Sequence, residues 1–124
     1  MRTVSSLKIV AKGVPPSVAK ARRPNGTWYR SPKADAWDEA VATACAGRIV
    51  DPDWKFYSVK ITVEQSSERG KLACRIKLTL DALTHCGFWK DDAPVASIVV
   101  RYGKKRIEPR VVIEVSEAKR KWKR

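Results

Sequence analysis

The sequence predicts an α+β (α/β) domain: a single small domain with one mixed sheet of about four strands and two helices packed on it. Three patterns carry that prediction. Residues 57–65 alternate, with Tyr57, Val59, Ile61 and Val63 on one side and Ser58, Lys60, Thr62 and Glu64 on the other, as a half-buried strand does. Leu72, Ile76, Leu80 and Leu83 recur at spacings of four, four and three, which is one face of a helix. Residues 95–100 are a β-branched and apolar run, the signature of a buried strand.

The remaining elements follow in chain order. Residues 6–12 have strand character, and Pro15 and Pro16 then force the chain out of the sheet because proline donates no ladder hydrogen bond. Residues 20–30 read as a basic loop with a tight turn at Asn25 and Gly26, and with Trp28 and Tyr29 beside Arg22, Arg23 and Arg30. Cations interleaved with aromatics neutralise phosphates and stack on bases, or they simply pack on a sheet; the sequence leaves both open. Ser31, Pro32 and Asp35 suit a helix start as cap, first-turn proline and dipole partner. Ala34, Trp37, Val41, Ala44 and Cys45 form that helix's apolar stripe, and Gly47 ends it. Residues 66–70 are a turn before the second helix, which begins near Lys71. Residues 103–106 read as a basic hairpin turn. Residues 107–115 return as a strand in which Pro109 suggests an edge position or a bulge, and an apolar edge there would permit a dimer. The domain spans residues 1–117, and residues 118–124 form a basic tail suited to phosphates.

At 124 residues there is room for one core. The 26 Lys and Arg outweigh 13 Asp and Glu, a net charge of +13, which points to a polyanion and first to nucleic acid. No apolar run approaches the ~18–20 residues of a membrane span, and residues 1–6 lack a signal-peptide core. Cys45, Cys74 and Cys86 make no paired metal motif and read as reduced thiols of a cytoplasmic protein. His85 has no second histidine to complete a metal set and reads as a polar helix end.

The most informative stretch is residues 81–95. Gly87 sits where a left-handed helix cap is wanted, Phe88 and Trp89 can fold back on the apolar face, and Asp91 and Asp92 precede Pro94. Adjacent carboxylates on a short fixed loop suit metal or proton-transfer chemistry, but adjacent aspartates before proline are more commonly turn residues. Asp81-Ala82-Leu83-Thr84, then Gly87-Phe88-Trp89, then Asp91-Asp92-Ala93 and Val95 resemble the signature of the RusA family, small phage and prophage endonucleases that resolve Holliday junctions. Pro15, Pro16 and Ser17 after a first strand extend the likeness.

The resemblance implies a homodimeric α/β domain acting on branched DNA, with Mg²⁺ held by clustered aspartates. Mg²⁺ takes oxygen ligands and polarises the scissile phosphate. It also implies an Asp-x-Asp pair opening the second helix, an asparagine, a lysine, and a third acid from the Asp-Asp pair. The third acid falls on Asp92 beside Asp91, and the lysine on Lys77. The two helix-start acids fall on Lys71 and Ala73, and the asparagine on Cys74. The chain therefore departs from the pattern at the metal site. Three functions follow: a DNA-binding protein without nuclease chemistry and without a cofactor, an active Mg²⁺ resolvase with Glu64 or Glu68 as substitute ligand, or a phage factor that binds host transcription or replication machinery. Phosphate contacts fall to Arg22, Arg23, Arg30, Lys71, Lys77, Lys104, Lys105 and Arg106. No base-reading motif is visible, so recognition by shape is expected.

Overall fold

The structure, a computed structural model, describes residues 6–16, 20–50, 54–66, 72–89 and 95–118, the side chains of 20–22 and 72–75 excepted. Along these the chain forms β1 (Ser6–Lys12), β2 (Lys20–Arg22), β3 (Trp28–Arg30), α1 (Pro32–Cys45), β4 (Tyr57–Glu64), α2 (Leu72–His85), β5 (Val95–Tyr102) and β6 (Arg110–Glu117). Four strands make one mixed sheet in the order β1-β6-β4-β5. β6 runs antiparallel to β1 and β4, while β4 and β5 are parallel with α2 as their crossover. Parallel neighbours need such a crossover, which explains why a helix separates two apolar strands in the sequence.

Both helices lie on the same side of the sheet, where α1 packs on β1 and α2 while α2 reaches β5. The alternation of β4 holds: Tyr57, Val59, Ile61 and Val63 are buried with Ile9 and Ala11 of β1 and Val111, Ile113 and Val115 of β6. Trp37, Val41 and Cys45 of α1 and Leu78, Ala82 and Leu83 of α2 close that core. Ser31 caps α1 by accepting the Lys33 N–H at 3.1 Å. Its other end turns left-handed already at Ala46 and continues so at Gly47. The buried band of α2 holds Leu78, Thr79, Ala82 and Leu83, with Ile76 and Leu80 at its margin. The helix packs on α1 as well as on the sheet, so its apolar face is rotated from the stripe that spacing alone suggests.

Four expectations are corrected. Residues 20–30 are a β-hairpin, β2 pairing with β3, and not an irregular loop. Its turn is the expected one: Gly26 has φ +92°, and Asn25 Oδ1 accepts the Thr27 N–H at 3.0 Å. Residues 103–106 are not a hairpin turn, because β4 lies between β5 and β6. That segment steps across the end of β4, with the Gly103 N–H donating to Val63 O at 2.8 Å and the Arg106 N–H to Gln65 O at 3.1 Å. The expected edge strand at 107–115 is the inner strand β6, starting only at Arg110, with Ile107 exposed outside it. The apolar β5 is instead an edge, and its Ser97, Ile98 and Val99 are exposed. β-branched composition marks a strand in either place, so it does not tell an edge from a centre.

Candidate nucleic-acid interface

α2 and its exit position the stretch that carries the family signature. Gly87, at φ +79°, ends the helix in a paired cap: the Phe88 N–H donates to Leu83 O at 3.0 Å and the Gly87 N–H to Thr84 O at 3.1 Å. Phe88 is buried, which contributes ~1.5–3 kcal/mol. Its carbonyl accepts the Val50 N–H at 3.0 Å. Trp89 is a core residue whose Nε1–H donates to Thr84 Oγ1 at 2.8 Å and whose ring stacks on Tyr57 at 5.4 Å. Val95, which opens β5, pairs with the same Tyr57. Gly87, Phe88 and Trp89 of the signature thus tether the chain before the aspartates, and Val95 tethers it after them. His85 ends the helix against Asp38, with Nδ1 to Oδ2 at 2.8 Å. Asp91, Asp92, Lys71 and Glu68 lie outside the described residues. Ala73 stands in the first turn of α2, and Lys77 is exposed one turn later.

The structure separates the expected phosphate-binding cations into different situations. Lys77, Lys104 and Lys105 are exposed. Arg23 is exposed over the Tyr29 ring, 4.6 Å from its centre, and so is held by its aromatic neighbour with its outer face open. Arg106 is half-buried and its Nε donates to Glu108 O at 3.1 Å. Arg30 is engaged twice, by Asp35 Oδ1 and Asp38 Oδ2, each at 2.7 Å, which ties the hairpin to α1. The Arg22 side chain lies outside the described part. Glu64, considered as a substitute metal ligand, is buried, and its Oε1 accepts Arg110 Nε at 2.6 Å. The Arg110 hydrogen bond holds its carboxyl below the ordinary value, against the opposing effect of burial. Among the described residues no group of three or more His, Cys, Asp or Glu side chains could hold a metal ion.

A family model described as Endodeoxyribonuclease RusA matches residues 12–116, from the last residue of β1 into β6. The chain belongs to the RusA family. Among curated proteins none matches it. Membership supports DNA as the partner of this RusA-family chain and Holliday-junction recombination as the setting. No helix among the described residues is long and apolar enough to cross a membrane.

Sequence reasoning missed one feature of this RusA-family domain, because it needs the strand order. With both helices on one side, no helix among the described residues covers the other face of the sheet, where Val112 is nonetheless buried among its neighbours. Register sets its side chains in rows: Ser6, Ser116, Ser58 and Ser97; then Lys8, Glu114, Lys60 and Val99; then Val10, Val112, Thr62 and Arg101. Ser58 and Ser97 share a hydrogen bond of 2.7 Å between their hydroxyls, which fixes them on the same face. The polar phase of β4 was the available signal, but one strand's alternation cannot say what its neighbours add beside it.

Proposed function

We propose that this chain is a DNA-binding member of the RusA family that holds branched DNA through its basic surface without cutting it. The observation that carries the proposal is the pair of side chains at the helix start, Lys71 and Ala73, where the family pattern has acids. Mg²⁺ needs oxygen ligands, and an ammonium and a methyl group supply none. An ammonium a few ångströms from a metal position costs a further ~1–4 kcal/mol. Glu64 does not replace the missing donors, since its carboxylate is engaged by Arg110. The donor set does not fit Mg²⁺. In this reading Lys71 supplies the positive charge at that place and grips a phosphate, while Asp91 and Asp92 are remnants of the family site.

Exposed Arg23, Lys77, Lys104 and Lys105 are among the described cations open to phosphates, joined by Arg22, Lys71 and the tail from residue 118. Contacts of this kind fix position and carry little sequence information, so the protein recognises junction shape. It works as a homodimer in the bacterial cytoplasm, as the family likeness suggests. The test is a fluorescence titration of labelled four-way junction and of duplex at ~50 mM salt. Tighter binding to the junction supports the proposal, and absence of affinity for either DNA overturns it.

A further inference from the structure

The sheet face opposite the helices has a composition that helix packing does not explain. Four serines, Ser6, Ser116, Ser58 and Ser97, form one row across all four strands. At ~4.8 Å between strands the row is ~14 Å long. The next row sets Lys8 and Lys60 on either side of Glu114, and Arg101 stands one row on. Lys8, Lys60 and Arg101 form no ion pair among the described residues. Hydroxyl donors beside unpaired cations are the groups that contact sugar–phosphate backbone. No aromatic side chain falls in these rows, which excludes a base-stacking platform of the kind single-strand binders use.

We propose that a DNA backbone lies across this face along the serine row, with Lys8, Lys60 and Arg101 as its phosphate partners. The proposal rests on the DNA-binding reading above and names the surface that does the binding. Glu114 is the one carboxylate in the lysine row, and it weakens the attraction there. Its removal should therefore strengthen binding, an effect that misfolding cannot produce.

Four variants and the wild type are titrated with duplex and junction DNA between ~50 and 200 mM salt, with urea unfolding as a check on the fold. Lys8→Gln/Lys60→Gln/Arg101→Gln should lower the slope of log affinity against log salt by about 2 to 3, since each phosphate contact contributes ~0.9. Glu114→Gln should bind about 2–5-fold more tightly, the gain expected from removing one nearby like charge. Ser58→Ala/Ser97→Ala should bind a few-fold more weakly with an unchanged slope, because a neutral hydroxyl releases no counterion. A wild-type slope in the triple variant, or an unchanged affinity in Glu114→Gln, overturns the assignment. Lys104→Gln/Lys105→Gln is the reference: if it lowers the slope and the triple variant does not, DNA binding stands and this face is not its seat. Wild-type protein with no affinity for DNA removes both.

Discussion

Replacing Gly103 with alanine drives a methyl group into the end of β4. A Cβ at that position would stand 2.5 Å from Thr62 Cγ2, 3.0 Å from Glu64 Cγ and 3.1 Å from Glu64 Oε2. Ordinary carbon contacts are ~3.5–4.0 Å, so about 1 Å of movement is required at Thr62 alone. None of the parties moves easily. Thr62 is β-branched and stiff at χ1. Glu64 is held by Arg110 at 2.6 Å, and the Gly103 N–H is fixed on Val63 O at 2.8 Å. Overpacking of this kind costs ~1–3 kcal/mol. Urea unfolding followed by tryptophan fluorescence measures it, and a double-mutant cycle locates the clash. Thr62→Ser removes Cγ2 and keeps the hydroxyl, so Gly103→Ala should cost ~1 kcal/mol less in the Thr62→Ser background. Costs that add to within ~0.3–0.5 kcal/mol, or a neutral Gly103→Ala, would refute the reasoning.

Three other outcomes follow from the same structure. Phe88→Ala should destabilise by ~3–5 kcal/mol in urea, since the ring is 1% exposed and anchors the turn that follows α2. The Glu64 carboxyl is held below its ordinary 4.5 in the folded state, so its pairing with Arg110 stabilises fully above that pH and is lost as pH falls through the lower folded value. Wild type should accordingly lose more stability than Glu64→Gln between pH 7 and pH 3, and equal losses would contradict the pairing. Lys71→Asp/Ala73→Asp should gain Mg²⁺-dependent nicking of a junction, visible as new bands on a denaturing gel, because it returns oxygen donors to the helix start.

Much of the fold was legible because local rules and tertiary structure agree. The period-two pattern of residues 57–65 became β4, Ser31 and Pro32 opened α1, and Gly87 capped α2 with Phe88 and Trp89 folded behind it. What was not legible depends on which strands are neighbours. Gly103 resembles a hairpin glycine until β4 is known to lie between β5 and β6, when it becomes the point where the chain crosses a strand end. Ile98 and Val99 read as core until β5 is known to be an edge. The candidate site divides in the same way. Trp89 and His85 took the structural places expected of them, whereas the engagement of Arg30 with two α1 carboxylates joins residues that only the folded hairpin brings together. The serine and lysine rows need the registers of three strand pairs at once.

The central claim is a junction binder with no cutting chemistry. A labelled four-way DNA junction incubated with the purified wild-type protein in Mg²⁺, with the same sample run on native and denaturing gels, tests it most directly. The account predicts a shifted native band whose strands are all full length. Paired nicks near the crossover would contradict it and return the metal site to a carboxylate set that includes Asp91 and Asp92.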